Sequence, residues 1–219
     1  MLSQSEENYL KAIYSLEVQK EDKISTSMIA EKIQTKASSV SDMLKKLAEK
    51  DLLNYKKYQG VSLTKSGRKI AINIVRSHRI WESFLVKKLN FSWNEVHDIA
   101  EQLEHVKSET LIDRLDSYLN FPTHDPHGDP IPDKDGNINK TQYNLLNTLS
   151  IGDEATLIRV KDSSNSLLTY LDYYEISLNS LISVIHKESF DKSMLIEINN
   201  KRISLSNQIT KNLFVQKIN

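Results

Sequence analysis

Four side chains in HDIAEQLEHVKSE, residues 97–109, are of types that bind divalent cations: His97, Glu101, Glu104 and His105. Their spacing is i, i+4, i+7 and i+8, which a helix gathers on one face. An upstream pair, His78 and Glu82, repeats the i, i+4 spacing. Imidazole nitrogen with carboxylate oxygen, and no sulfur, suits Mn²⁺, Fe²⁺, Zn²⁺ or Co²⁺. The same spacing also describes an ordinary solvated helix face, and a lone His97 or His78 serves a structural role as readily. Two helices that each offer His and Glu could close a metal site between them. A carboxylate–histidine metalloenzyme is the alternative from another class. That design wants Glu-x-x-His on each of two helices. The spacing here differs and no nucleophile constellation accompanies it, so no enzyme is expected.

The elements that would position these groups follow from periodicity and from where glycine and proline fall. All four prolines lie between Pro122 and Pro132, so NFPTHDPHGDPIPDKDGN, residues 120–137, reads as a non-helical linker. Before it, helical periodicity dominates. SEENYLKAIYSLEVQ places Tyr9, Leu10, Ile13 and Leu16 on one stripe. STSMIAEKI is a short helix with Ser/Thr caps at its start. SSVSDMLKKLAEKDLL is another, and NYKKYQGVSLT reads as a hairpin turning at Gly60. A long helix is expected from Lys65 to about Leu89, followed by SWNEVHDIAEQLEH and KSETLIDRLDSYLN. After the linker, GDEATLIRV, SMLIEI and KRISLS read as short strands of a small barrel or meander, with one helix around LLTYLDYYE.

Helix, helix, turn, helix and hairpin is the order of a winged helix-turn-helix. Its third helix lies in the major groove with its first residues at base edges. Those residues are Lys36, Ser38, Ser39, Ser41 and Asp42, with Lys45, Lys46, Lys56 and Lys57 around them and Gln59 in the wing turn. Residues 36–69 carry 9 Lys/Arg against 3 Asp/Glu, net +6, while residues 73–140 carry 8 against 12, net −4. A basic block beside an acidic one fits a polyanion for the first and a cation for the second. The chain has no cysteine, which excludes disulfides and thiolate metal sites. No apolar run approaches the roughly 18–20 residues of a membrane helix. The first residues are too polar for a secretory signal. A cytoplasmic protein with no membrane partner is the expectation.

Taken in order, SEENYLKAIYSLE, SSVSDMLKKLAEKDLL, YQGVSLTKSGRKIA, VRSHRIWESFL, VHDIAEQLEHVKSE, IDRL and DPHGDPIP resemble the diphtheria-toxin-repressor/manganese-repressor family of metal-dependent transcriptional regulators. The likeness spans about residues 3–133. It implies a mainly α chain with a small all-β C-terminal domain. Its divisions would be a winged helix-turn-helix (1–72), a helical metal-binding and dimerisation domain with the Pro-rich linker (73–140) and an SH3-like, FeoA-like domain (141–219). It also implies a homodimer that binds a palindromic operator when metal is present. By resemblance the primary site is Asn8, Glu101, Glu104 and His105, and the ancillary site is His78, Glu82 and His97, with His78 able to serve either. Iron-type members carry cysteine where this chain has Glu101, and manganese-type members carry glutamate. Mn²⁺ is therefore expected, with Fe²⁺ as the alternative and Zn²⁺ or Co²⁺ as substitutes in vitro. Manganese-type members have acidic residues where this chain has Asn8 and Lys11, so the paired-manganese design is not expected.

Overall fold

The computed structural model describes residues 2–19, 23–56, 60–138, 142–161 and 164–218. They divide into two compact units. The first comprises Met1–His78, Glu101–Arg114 and Pro132–Ile138, and the second Arg79–Ala100, Leu115–Ile131 and Asn139–Asn219.

The first unit opens with helix α1, Gln4–Val18. Its start is fixed by a capping box: Ser3 Oγ accepts from the Glu6 amide, and the Glu6 carboxylate accepts from the Ser3 amide. Its apolar stripe, Tyr9, Leu10, Ile13 and Leu16, is buried. Helix α2 is Thr26–Lys32, capped by Ser25, and helix α3 is Ala37–Glu49. Val40, Leu44 and Leu47 recur on one face of α3 and are fully buried beside Leu10, Ile13 and Ile29. Strands β1, Leu53–Lys56, and β2, Gly60–Leu63, pair antiparallel. Gly60 has φ +100°, the left-handed region where glycine has no Cβ penalty. An isolated bridge from Ile24 to Val61 adds a third edge to this hairpin. The order helix, helix, helix, wing is thus present as the sequence predicts.

Helix α4 runs Lys65–Leu89. Its first turn sits directly on the end of the α3–β1 connection: a Cβ on Gly67 would stand 1.9 Å from the Leu52 carbonyl oxygen. Helix α5 is Val96–Leu103 and α6 is Glu109–Tyr118. Here the structure corrects the sequence reading. The helix expected through residue 105 ends at Leu103, so Glu104 and His105 lie in the turn that follows. The four residues do not share one helix face; two come from a helix and two from its exit.

The C-terminal part of the second unit is a six-stranded antiparallel sheet. Its strands are β3 (Asn144–Leu145), β4 (Glu154–Val160), β5 (Leu181–Lys187), β6 (Met194–Ile198), β7 (Lys201–Leu205) and β8 (Leu213–Lys217). They lie in the order β3-β8-β4-β5-β6-β7. Helix α7, Asn165–Tyr173, and a short helix α8, Asn207–Thr210, complete it. Alternation along β6, and along β4 up to a register shift after Leu157, turns Ala155, Leu157, Val160, Met194, Ile196 and Ile198 into one core with Leu168 and Leu171 of α7. Strands β3, β5 and β8 also belong to this sheet and lie outside the stretches that the sequence marks as strands. No helix among the described residues is long and apolar enough to cross a membrane.

Candidate metal centre

One cluster of ionisable groups lies in the first unit. Three elements build it. Helix α1 presents Glu7, Asn8 and Lys11, α4 presents His78, and the end of α5 with its following turn presents Glu101, Glu104 and His105. His105 Nδ1 is 2.6 Å from Glu7 Oε2, and His78 Nδ1 is 2.6 Å from Glu104 Oε2. Lys11 Nζ donates to Glu101 Oε1 and to Glu104 Oε2, both at 2.6 Å, and stands 3.3 Å from His78 Nδ1. His105 Nε2 is 3.8 Å from the other Glu104 oxygen, Oε1. Glu104 is only 4% exposed.

Asn8 Oδ1 and Glu104 Oε1 are buried with no hydrogen-bond partner. A buried acceptor left unpaired costs about 1–3 kcal/mol, so each of these oxygens fits a cation that would take it as a ligand. The Lys11 side of the cluster does not. A divalent ion about 4 Å from that ammonium would be repelled by about 8 kcal/mol at an effective dielectric of 20.

A second cluster lies in the second unit. Glu82 of α4, and Asp125 and His127 of the proline-rich segment, are all buried, and their ligand atoms fall within 4.8 Å of one another. His127 Nδ1 is 3.6 Å and His97 Nδ1 3.4 Å from the same oxygen, Glu82 Oε1. The loop fixes its own geometry. Asp125 Oδ1 accepts from the amides of His127 and Asp129, each at 2.9 Å. His127 Nε2 donates to the Trp93 carbonyl at 2.7 Å, and its ring stacks on Trp93. That bond commits one nitrogen to a proton and turns Nδ1 toward the carboxylates. Burial, with Asp129 and Glu82 nearby, pushes the Asp125 carboxyl up to about 7. Burial pulls the His127 imidazole down, but Glu82 and Asp125 outweigh it and hold it up at about 9. Clustered buried carboxylates of this kind are stabilised by a positive charge among them, and their oxygen and imidazole donors suit a divalent cation.

Gly128 seats this loop. At φ +85°, a Cβ there would stand 2.1 Å from the Ile158 carbonyl oxygen of β4. The Val160 amide donates to the His127 carbonyl at 2.9 Å, which ties the histidine's backbone to β4.

The basic face belongs to α3 and the wing. Lys36, Ser38, Ser39, Asp42, Lys45, Lys46 and Lys56 are exposed and Ser41 is half-buried. Lys45 pairs with Asp42 at 3.2 Å. Lys46 and Lys50 reach Glu6 of α1, at 3.2 and 2.6 Å. The ammonium of Lys50, with the Ser3 amide next, holds the buried Glu6 carboxyl down at about 2. Lys57 and Gln59 lie outside the described residues.

Models of the iron-dependent repressor match this chain in sequence. The N-terminal DNA-binding domain matches residues 1–61, and the metal-binding and dimerisation domain matches residues 64–133. A FeoA-domain model matches residues 144–217. The HTH-type transcriptional regulator MntR of Oceanobacillus iheyensis is 34% identical over 121 residues, 55% of this chain and 81% of that protein. The chain belongs to the family of metal-dependent transcriptional repressors.

Members of this family are DNA-binding repressors rather than enzymes. The iron-dependent repressor IdeR of Mycobacterium tuberculosis is 37% identical over 126 residues, 58% of this chain and 54% of that protein. The chain thus spans about half the length of the curated iron-dependent repressors it matches. A solved manganese-dependent transcriptional repressor in complex with manganese superposes with TM-score 0.89 at 37% identity, covering 97% of this chain and 100% of that one. ScaR with bound Zn²⁺ superposes with TM-score 0.81 at 33% identity, covering 97% and 99%. The C-terminal sheet is the small SH3-like, FeoA-like domain of this repressor family.

Of the metal candidates read from sequence, the structure gathers Asn8, His78, Glu101, Glu104 and His105 in the first unit, and Glu82 with His97 in the second. It adds Glu7 and Lys11 to the first cluster, and Asp125 and His127 to the second. Glu7 precedes Asn8 in sequence, and nothing in the local spacing links it to His105, 98 residues away. His127 lies between two aspartates in DPHGD, a stretch that the sequence assigns to the linker and to the family likeness but not to a metal site.

Proposed function

We propose that this chain is a divalent-metal-dependent DNA-binding repressor of metal-ion homeostasis. It would act in the cytoplasm as a homodimer on a palindromic operator, with Mn²⁺ as its preferred ion. Residues 1–72 read DNA, 73–140 hold metal and the dimer contact, and 141–219 form the small β domain. The observation that carries this reading is the double attachment of α1. Glu7 and Lys11 on that helix engage His105, Glu101 and Glu104, while Glu6 on the same helix engages Lys46 of the reading helix α3 and its C-cap Lys50. Whatever moves the cluster therefore moves α3.

The chain's own residues divide the work. Asn8, Glu104 and His105 would hold one ion; Glu82, Asp125 and His127, with His97 beside them, would hold another. A bound divalent cation supplies positive charge that joins carboxylates which otherwise repel. Lys36 and Lys45 neutralise phosphates, and Ser38, Ser39, Ser41 and Asp42 face base edges. Oxygen and imidazole donors without thiolate favour Mn²⁺ over softer ions. The deciding experiment is operator binding by the metal-free chain and with Mn²⁺, Fe²⁺ or Zn²⁺ under anaerobic conditions. Mn²⁺ is expected to stimulate binding most. Equal operator affinity with and without every metal would defeat the proposal.

A further inference from the structure

The first cluster has two unlike halves. In one, three groups of the kind a divalent cation takes converge on an ammonium: Lys11 Nζ lies 2.6 Å from Glu101 Oε1, 2.6 Å from Glu104 Oε2 and 3.3 Å from His78 Nδ1. In the other, Glu104 Oε1 is buried without a hydrogen-bond partner and His105 Nε2 stands 3.8 Å from it; Asn8, whose Oδ1 is also buried without one, follows Glu7, the residue that meets His105. A single carboxylate, Glu104, thus meets the ammonium with one oxygen and keeps the other buried without a hydrogen-bond partner.

We infer that Lys11 is a resident cation that takes the place of a metal ion between His78, Glu101 and Glu104, so that this cluster admits one divalent ion instead of two. The inference rests on the metal-dependent reading given above and refines it. Two consequences follow from charge. The ammonium neutralises one of the two carboxylates it bridges, which leaves attraction for one further cation on the Asn8 and His105 side. It also ties α1 to the end of α5 and the turn that follows, independently of any metal. Metal then tightens an attachment that already exists. Replacing Lys11 by an acidic side chain reverses both effects, because it removes the competing charge and offers two more oxygens.

The test counts ions. Mn²⁺ bound per protomer is measured from the free-ion EPR signal for the wild-type chain and for K11E. Each is also measured with E82Q and H127A added, which disable the second cluster. K11E is expected to hold one ion more than its parent in both backgrounds, rising from one to two where the second cluster is disabled. Equal counts overturn the inference and leave metal-dependent repression standing. So do two ions in the E82Q/H127A chain with Lys11 in place. A rise from none to one supports the resident cation and instead defeats the assignment of an ion to Asn8, Glu104 and His105. No ion in either chain overturns both. The wild-type background keeps the comparison readable should the multiple variants not fold. Lys11→Gln removes the ammonium without adding a carboxylate. Mn²⁺ is expected to raise its melting temperature more than that of wild type, and an equal rise counts against the inference.

Discussion

Glu104 stands where the demands of fold and ligand meet. It is buried, shares one oxygen with Lys11 and His78, and leaves the other unpaired. Replacing it by Gln keeps the shape and removes the charge. Loss of second-sphere partners alone lowers metal affinity about 10–100-fold, so loss of this ligand is expected to weaken Mn²⁺ binding at the first cluster by about 100-fold or more. Isothermal titration of E104Q against wild type reads this directly. Metal-stimulated operator binding should vanish with it. An E104Q chain that still binds operator in a metal-dependent way shows that the first cluster does not drive the response. Glu82 is the corresponding position in the second cluster, where two histidines approach one of its oxygens.

Among the elements, α1 and the loop after α6 position the two clusters. Glu6 closes the capping box of α1 and holds Lys46 and Lys50 of α3 and its C-cap, so one side chain fixes both a helix start and the pose of the reading helix. A hydrogen bond to a charged group contributes about 1.5–3 kcal/mol, and the partial exposure of both lysines lowers what is realised. Glu6→Gln is therefore expected to lower stability by about 1–2 kcal/mol. It should weaken operator binding with and without metal, measured by thermal melting and by fluorescence anisotropy. Unchanged operator affinity in a folded E6Q chain means α3 is not positioned by this contact. The loop makes a different prediction. Gly128→Ala places a methyl group 2.1 Å from the Ile158 carbonyl oxygen, at a backbone angle that disfavours any Cβ. The loop must lift from β4 and carry His127 with it. Overpacking of this kind costs about 1–3 kcal/mol, and G128A should lose the ion of the second cluster while keeping that of the first. Retention of both ions refutes the seating role.

For the whole molecule, binding of metal and of DNA are two ends of one equilibrium. If Mn²⁺ strengthens operator binding by some factor, the operator must strengthen Mn²⁺ binding by the same factor, typically about 5–150-fold. Titrating Mn²⁺ with and without a duplex operator checks this, and unequal factors exclude simple coupling. Phosphate neutralisation should also make binding steeply salt-dependent. Lys36→Ala and Lys45→Ala are each expected to reduce the slope of log affinity against log salt by about 1. Lys46→Ala should change it less, because its partner Glu6 is buried, whereas Asp42, the partner of Lys45, is exposed. An equal loss at all three positions would show that the Glu6 pair opens on DNA.

The sequence by itself determined what depends on near neighbours. The stripe Tyr9, Leu10, Ile13 and Leu16, the Ser3 cap and the glycine at position 60 specify helices and a wing turn through contacts within a few residues. The prolines from 122 to 132 marked a non-helical segment for the same local reason. The basic reading helix and the metal-type side chains were equally visible, since charge and donor chemistry belong to single residues. Tertiary structure alone decided which donors meet. Lys11 is 90 residues from Glu101 and 93 from Glu104, so no periodicity relates them. Asp125 and His127 join Glu82 only because Gly128 lets their loop lie against β4. Helix α5 stopped at Leu103, one residue before the first donor expected to continue its face. Local pattern sets the conformation of each element. The partner of a buried charge is set by packing among elements far apart in the chain, where leaving a charge unpaired costs most.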